Sequence, residues 1–199
     1  MISYGTASRL RTDEARSGDL GERELLGRIS ARDLPAFERL YRIYQPRLAR
    51  FVISVLQRPQ LVEEVLDDTM MVVWNNAASF RGSSKVSTWI FAIAYRKALK
   101  AKSRWPEPVE DEQLVERVSL DSGPDQQIEH GQLHHALVDA MAQLSAEHRA
   151  VVDLTYFHGM GYREIAEVVN CPVDTVKTRM FHARRRLRQT MSGSVGDWL

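Results

Sequence analysis

The chain has 199 residues, of which 44% are hydrophobic, so it is long enough for one ordinary domain or two small domains with folded cores. Basic and acidic residues nearly cancel to a net charge of +1, and any preference for a polyanionic partner must therefore be local. A single cysteine excludes an internal disulfide and the multi-cysteine zinc patterns, and the absence of a signal peptide or an apolar run of ~20 residues leads us to expect a cytoplasmic protein.

The pattern of polar and apolar residues divides the chain into five segments. Residues 1–24 are polar and lack periodicity, which is typical of a flexible tail. Apolar residues recur at helical spacing over residues 25–104 and predict a bundle of three or four helices. Residues 105–128 are acidic and contain proline and glycine, which indicates a linker. Residues 129–191 again show helical spacing and residues 192–199 form a second tail, so the predicted fold is all-α with two small domains.

A basic stretch closes the first predicted domain, since Arg81–Arg104 holds seven basic residues and no acidic one. A loop with glycine and serine leads there into a helix that begins with aromatic residues. Bases can stack on aromatic rings while cations follow phosphates, so this composition suits single-stranded DNA. The alternative is that the aromatic residues belong to the core and the charges are solvated. We therefore assign strand capture to the loop and the basic side of the helix: Phe80, Arg81, Gly82, Ser83, Ser84, Lys85, Arg96, Lys97 and Lys100.

The most specific pattern lies near the carboxyl end, where a short helix over residues 162–169, a break at residues 170–172 and a longer helix through Arg188 predict a helix-turn-helix. The inward positions of the two helices are predicted at Ile165, Ala166, Val169, Val176, Met180, Ala183 and Leu187. The segment from residue 172 to residue 191 has six bases against one acid. Its outward side chains could contact guanine edges, phosphates or a thymine methyl group. The alternative is a basic amphipathic helix that is merely solvated or docks on an acidic partner. The coincidence of the turn, the small residue and the basic face disfavours it.

Two motif blocks in this order resemble conserved regions 2 and 4 of extracytoplasmic-function sigma factors. The resemblance covers about residues 36–189 and is carried by Val65–Trp74, Phe80–Gly82, Thr88–Ile90, Tyr162–Ala166 and Cys171–Arg179. It implies that the first domain binds the clamp helices of the polymerase β′ subunit and melts the minus-ten element, with a flipped base captured by the loop Phe80–Lys85. It also implies that the second domain reads the minus-thirty-five element near the β flap, and that the linker runs toward the RNA exit path.

The resemblance further implies roles for single residues. It assigns minus-thirty-five contacts, to bases or to phosphates, to Thr175, Lys177, Thr178, Arg179, Phe181, His182, Arg184 and Arg185. It assigns part of the core-polymerase surface to Asp67, Asp68, Met71 and Trp74, although Trp74 could equally be an interior anchor. The sequence departs from the family where Asp67 and Met70 replace a frequent glutamine and phenylalanine, Pro172 a frequent serine, and His182 a longer basic residue.

The expected function is therefore promoter selection for RNA polymerase, without catalysis, cofactor, metal or small-molecule substrate. The expected partners are core RNA polymerase, promoter DNA and an anti-sigma factor, which is often membrane-tethered in the family. We expect the two cationic surfaces at opposite ends of the molecule. The alternatives are a sigma mimic that titrates an anti-sigma factor, and a dimeric helix-turn-helix repressor. A metal enzyme using His130, His134 and His135 is disfavoured because no recognisable motif surrounds them.

Overall fold

The computed structural model describes residues 18–105 and 137–191, and every helix or turn named below lies within them. No strand occurs in this part of the chain, which confirms the all-α prediction. The helices are α1 (residues 18–30), α2 (Leu34–Leu56), α3 (Val62–Asn76), α4 (Val86–Arg104), α5 (residues 137–142), α6 (Ala146–Tyr156), α7 (Tyr162–Val169) and α8 (Val173–Met191). Short 3₁₀ turns at Pro59–Leu61 and Ala77–Ser79 precede and follow α3.

The central element of the first domain is α2, whose ends have clear causes in the sequence. The Asp33 carboxylate accepts a hydrogen bond from the backbone N–H of Ala36 at 3.1 Å, which satisfies one free donor of the first turn. At the other end Gln57 adopts a left-handed conformation with φ of 56°. Between them a buried stripe recurs every three or four residues and packs against α3 and α4: Ala36, Leu40, Tyr44, Leu48, Phe51, Val52 and Val55.

Helix α1 begins inside the segment that the sequence assigned to a flexible tail, so the predicted boundary at residue 24 is wrong. Leu25, Leu26 and Ile29 are buried in the core, as apolar periodicity would suggest. The helix continues upstream because its polar residues also have partners in the folded domain. Tyr44 donates to the Glu22 carboxylate at 2.7 Å, and Val86 donates its backbone N–H to Asp19 at 3.0 Å. Long-range contacts of this kind leave no periodic signal in the sequence.

Helices α5 to α8 form the second domain, and α7 and α8 are the predicted helix-turn-helix. The chain reverses between them at Asn170, which has a φ of 50° and ends α7. All seven inward positions predicted for α7 and α8 are buried, which confirms that prediction. The acidic linker 105–128, apart from residue 105, lies outside the described residues, as do His130, His134 and His135. Throughout the described part of the chain, no helix combines the length and apolar character needed to cross a bilayer.

The two domains pack directly on each other, with α6 against α2 and α7 against α4. The His158 ring lies in this interface, 4.5 Å from the ring centroid of Phe91 and 6.2 Å from that of Phe51. Arg50 places its guanidinium carbon 3.6 Å from the Phe157 ring centroid. The second domain therefore docks on the first through apolar and aromatic side chains, a contact that the sequence did not predict.

Arg149 of α6 links the domains through the carboxyl ends of two helices. Its guanidinium donates to the carbonyl oxygens of Ser54 at 2.7 Å and Val55 at 3.2 Å, both in the last turn of α2. It also donates to the carbonyls of Ala142, at 3.2 Å, and Leu144. The last carbonyls of a helix have no partner within it and carry partial negative charge, so a buried cation stabilises them. Since α2 has no basic residue in its own last turn, the second domain supplies this cap.

Candidate nucleic-acid interface

Helix α8 presents one face to its own domain and the opposite face to solvent. Val176, Met180, Ala183 and Leu187 are buried at spacings of three and four, and the helix packs on α6 and α7. This periodic stripe fixes the rotation of the helix, so the intervening basic and polar residues must point outward. An exposed helix of this kind behind a short helix and tight turn has the geometry of a major-groove reading helix.

The outward face of α8 combines an apolar side chain with hydrogen-bonding groups. Phe181 is 63% exposed, and its ring lies 5.5 Å from that of His182. Lys177 is exposed and pairs with Asp174 at 2.9 Å. Thr178 donates its hydroxyl to the backbone carbonyl of Asp174 at 2.9 Å, while Thr175 is only partly exposed. The structure therefore brings the predicted base-contacting residues together on one accessible surface.

The arginines of α8 differ in how firmly they are held. Arg184 donates from Nε to the hydroxyl of Tyr156 at 3.0 Å, and its guanidinium carbon is 5.8 Å from that ring. Arg179 is partly buried, with Nη1 3.9 Å from the Cys171 sulfur. Arg185 is exposed. A guanidinium that is already held in place loses less conformational entropy when it binds a phosphate. Of the three arginines, Arg184 should therefore bind a phosphate with the smallest entropy loss.

The structure adds His148 of α6 to this surface, a residue that the sequence did not single out. Its ring centroid lies 6.4 Å from that of His182, and Ser145 Oγ lies 2.7 Å from its Nδ1. Burial lowers the pKa of His148 below its ordinary value, the nearby Arg179 guanidinium lowers it further, and Glu147 partly opposes both. The imidazole is therefore harder to protonate than that of a free histidine side chain. No sequence pattern could identify it, since it belongs to a different helix.

The loop Phe80–Lys85 joins the turn after α3 to the start of α4, and it is called the minus-ten loop below after the promoter element that the resemblance assigns to it. Gly82 has a φ of +72°, a left-handed conformation that suits glycine. The Phe80 ring is partly buried, 5.5 Å from the Trp89 ring, so it is part core residue and part loop anchor. Arg81 and Ser83 are exposed. Lys85 pairs with Glu164 of α7 at 2.7 Å, and so faces the second domain in this arrangement.

A second group missed by the sequence supports this loop from α1. Arg23 donates from Nη1 to the Gly82 carbonyl at 3.2 Å and from Nη2 to the Ser84 carbonyl at 2.9 Å. Its Nε donates to Asp19 at 2.7 Å, and the other carboxylate oxygen of Asp19 accepts the N–H of Val86. Asp19 and Arg23 both lie in the segment that the sequence predicts to be a flexible tail, because its mixed charges resemble those of a solvated segment.

Three basic residues of α4 extend the surface beyond the loop. Arg96 and Lys100 are exposed. Lys97 is more enclosed, with its side chain 28% exposed, and its ammonium group pairs with Asp68 of α3 at 2.9 Å. A residue predicted to bind DNA thus contacts one predicted to bind polymerase, and Lys97 reaches another anion only by leaving Asp68.

The predicted polymerase-binding residues lie on α3. Met71 is 53% exposed, and Asp67 and Asp68 are exposed beside it. Trp74 is partly buried, with its ring 5.1 Å from that of Phe37 and 5.4 Å from the Arg32 guanidinium. Trp74 therefore packs against its own domain while leaving part of its ring accessible. Among the residues that the structure describes, no cluster of three or more His, Cys, Asp or Glu side chains could hold a metal ion.

Two family models match the chain. The model described as Sigma-70 region 2 matches residues 40–105, which include most of the first domain and the minus-ten loop. The model described as Sigma-70, region 4 matches residues 134–187, which include the helix-turn-helix. The two matches together cover more than half of the chain and follow the order of the two domains.

Curated relatives match over most of their own length. An ECF RNA polymerase sigma factor RpoE from Cereibacter sphaeroides is 35% identical over 166 residues, which are 81% of this chain and 89% of that protein. An ECF RNA polymerase sigma-E factor from Haemophilus influenzae is 28% identical over 179 residues, 84% of this chain and 94% of that protein.

Solved structures share the fold. CnrH, solved in complex with the cytosolic domain of CnrY, superposes with a TM-score of 0.63 at 21% identity, over 87% of this chain and 99% of that one. The sigma factor RpoE of Bartonella quintana, solved with the anti-sigma factor NepR, superposes with a TM-score of 0.62 at 24% identity, over 79% and 98% of the two chains. At this identity the likeness concerns the fold alone.

Proposed function

The chain belongs to the extracytoplasmic-function sigma factors of the sigma-70 family, and from this premise we propose that it directs core RNA polymerase to promoters through α8 and the minus-ten loop. The observation that carries the proposal is the pair of exposed basic surfaces on the two matched regions. Base edges carry sequence information and phosphates fix register. On α8 we assign base contacts to Lys177, Thr178, Phe181 and His182, and phosphate contacts to Arg179, Arg184 and Arg185.

The minus-ten loop and the basic side of α4 are proposed to hold the melted strand. Extruding a base costs a few kcal/mol of stacking and pairing, which a pocket lined by aromatic and polar groups can offset. The loop supplies the hydroxyl groups of Ser83 and Ser84 and the ring of Phe80, which packs against Trp89 of α4. Arg96 and Lys100 would follow the phosphates. The protein itself makes and breaks no bond, and its energy comes from binding.

The exposed part of α3 is proposed to bind core polymerase. The side chain of Met71 provides an apolar area at the centre of this surface, and the carboxylates of Asp67 and Asp68 provide negative charge around it. A central apolar residue within a charged rim is a usual arrangement for a protein interface. Trp74 would serve this surface from its edge, since part of its ring packs inside the domain.

Promoter recognition requires the two domains to separate. The names of the two promoter elements place them about 25 base pairs apart, or roughly 85 Å at 3.4 Å per base pair. In the structure the second domain is docked on the first, which we call the closed arrangement. Lys85 of the minus-ten loop there contacts Glu164 of the helix-turn-helix domain at 2.7 Å. One molecule in this state cannot span both elements. We propose that binding to core polymerase holds the domains apart and that each bound domain raises the local DNA concentration for the other.

The similar solved structures suggest that an inhibitory protein binds this chain. The two solved structures described above each contain a partner, the cytosolic domain of CnrY in one case and the anti-sigma factor NepR in the other. We propose that this chain acts in the cytoplasm and is held inactive by an anti-sigma factor, which can retain it at the inner face of the membrane when the factor is membrane-tethered.

The proposal is tested by transcription with purified core polymerase and the full chain on promoters selected by the wild-type protein. Lys177→Ala or Phe181→Ala should change the preferred minus-thirty-five sequence, with a loss of discrimination of ~1–3 kcal/mol at one position. Arg28→Ala is the matched control, since Arg28 of α1 pairs with Asp33, the residue before α2, and Asp33 belongs to neither basic surface. No promoter-dependent transcript, or symmetric half-site protection without polymerase, would contradict the proposal.

A second variant separates phosphate contacts from base contacts. Arg184→Ala should weaken binding about equally on all promoters and reduce the slope of log affinity against log salt by about 1, because one phosphate contact is lost. The measurement is equilibrium binding of the holoenzyme at several salt concentrations. A sequence-selective loss would instead assign Arg184 to base recognition.

A further inference from the structure

We infer that Arg23 of α1, together with Asp19, is a positioning residue that sets the shape of the minus-ten loop. The inference deepens the proposed function, since it rests on the proposed role of this loop in capturing the melted strand. Neither residue lies within residues 40–105, the range matched by the region 2 model.

Arg23 holds the loop at two points at once. Its two terminal nitrogens donate to the carbonyls of Gly82 and Ser84, at 3.2 Å and 2.9 Å, so one planar group bridges three consecutive residues. The guanidinium carbon also lies 5.6 Å from the centroid of the Phe80 ring. A rigid fork with several fixed donors specifies orientation as well as distance, which a lysine ammonium cannot do.

Asp19 fixes both the arginine and the helix that follows the loop. One carboxylate oxygen accepts from Arg23 Nε at 2.7 Å, and the other accepts from the backbone N–H of Val86 at 3.0 Å, at the first residue of α4. The Asp19 side chain is only 16% exposed, so these bonds are partly shielded from water. The loop is therefore held between two anchored points, the arginine fork and the capped end of α4.

The glycine in the loop fits this arrangement. A Cβ atom built on Gly82 would lie 2.8 Å from Arg23 Nη1, closer than real Cβ atoms approach other atoms. To make room, the Nη1 end of the arginine, which donates to the Gly82 carbonyl, would have to shift. Gly82 thus suits the loop chiefly through its φ of +72°, and a side chain there would also displace this end of the guanidinium.

Arg23 acts on DNA through the loop, because its donors point at carbonyls of its own chain. Arg23→Ala should therefore raise amide exchange in residues 81–86 of the free protein. It should also slow promoter opening by the holoenzyme about tenfold, the cost of losing charged hydrogen bonds, measured by 2-aminopurine fluorescence at the flipped minus-ten base. The salt dependence of binding should not change, whereas loss of a direct phosphate contact would lower its slope by about 1.

The experiment compares four variants with the wild type: Arg23→Ala, Arg23→Lys, Lys85→Ala in the loop itself, and Arg28→Ala as the matched arginine on the same helix. Arg23→Lys retains the charge and should restore opening only in part. Arg23→Lys also keeps the test possible if Arg23→Ala does not fold, because the lysine side chain would still cover the Phe80 ring. Arg28→Ala should behave as the wild type.

The outcomes separate the inference from the proposed function. If Lys85→Ala slows opening while Arg23→Ala and Arg23→Lys leave opening and loop exchange unchanged, the positioning role is wrong and the loop's function stands. If Arg23→Ala loosens the loop and neither it nor Lys85→Ala affects opening, the proposed minus-ten role itself fails, and the inference with it. A lowered salt slope for Arg23→Ala would make Arg23 a direct contact and also overturn the inference.

A double-mutant cycle adds a direct test of the contact. Gly82→Ala should slow opening in the wild-type background through backbone strain and through collision with Arg23. In the Arg23→Ala background only the strain remains, so the second effect should be smaller. Strict additivity of the two effects would contradict the proposed contact.

Discussion

At the scale of single residues, His148 shows how the surroundings of one group can make stability depend on pH. Burial lowers the pKa of its imidazole in the folded protein, and the Arg179 cation acts in the same direction. In the unfolded chain the imidazole has its ordinary pKa of about 6.5. The unfolded state therefore binds more protons as the pH falls below that value, so the stabilising contribution of neutral His148 is present above pH 6.5 and is lost on acidification.

His148→Gln should flatten this acid limb of the stability curve, because glutamine has no proton to gain. Above pH 7 the variant should differ from the wild type by only a few tenths of a kcal/mol, as is usual for a partly exposed site. Urea unfolding at pH 7.5 and at pH 5 would show the wild type losing more stability than the variant. Parallel loss in both proteins would place the titrating group elsewhere.

Arg23 and Gly82 show what a sequence cannot reveal at this scale. The loop itself was identified from its composition, since glycine and serine between aromatic residues are a local signal. The partner that holds it is far away in the chain and carries no local mark. A charged residue in a polar segment looks the same whether it is solvated or bound to two carbonyl groups.

At the scale of elements, the amino end of α7 depends on one carboxylate with two roles. Glu164 accepts the backbone N–H of Gly161 at 2.9 Å, which caps the helix, and its other oxygen pairs with Lys85 at 2.7 Å. Glu164→Ala removes both interactions and should lower the free energy of unfolding by about 1 kcal/mol, the usual effect of losing a helix cap. Glu164→Gln keeps an oxygen for the cap and should cost less than half as much, since the partly exposed ion pair contributes little.

Thermal or urea unfolding of the two variants gives this comparison directly. Equal destabilisation by alanine and glutamine would mean that the Lys85 pair, and not the cap, stabilises α7. Asp174→Asn is a matched control, because Asp174 is also an acidic residue of a first helical turn that pairs with a lysine and is far more exposed.

The elements best predicted from the sequence are those whose signals are local. The boundaries of α7, the turn and the buried stripe of α8 follow from apolar periodicity and from the break at residues 170–172, and the structure confirms them. Helix α1 was placed too late because its first turns are polar and are paired through tertiary contacts. The docking of α6 and α7 on the first domain was not predicted either, since periodicity identifies a buried face without identifying what covers it.

At the scale of the whole molecule, Arg149 stabilises the closed arrangement. Arg149→Met keeps most of the apolar volume but removes the donors for four carbonyl groups, two in each domain. Because unsatisfied buried acceptors and lost charged hydrogen bonds both destabilise, we expect the free energy of unfolding to fall by about 3 kcal/mol. The radius of gyration from small-angle scattering should increase as the domains part.

Arg50→Met is the matched variant for this measurement. Arg50 also bridges the domains, but through a cation–π contact with Phe157, a partly exposed ring, so its loss should cost only about 0.5–1 kcal/mol. If both variants keep the wild-type radius and stability, packing of the apolar faces alone holds the domains together.

The contact between Lys85 and Glu164 makes the closed molecule its own competitor for DNA. The Glu164 carboxylate pairs with the Lys85 ammonium group as a phosphate oxygen would, so it acts as an internal decoy if the loop captures the melted strand as proposed. A protein whose competent state is a small fraction of the population binds with an affinity reduced by that fraction. Because this partly exposed ion pair contributes little on its own, the docking of the two domains would do more than the contact to keep free copies from reaching both promoter elements, and binding to polymerase would release both restraints at once.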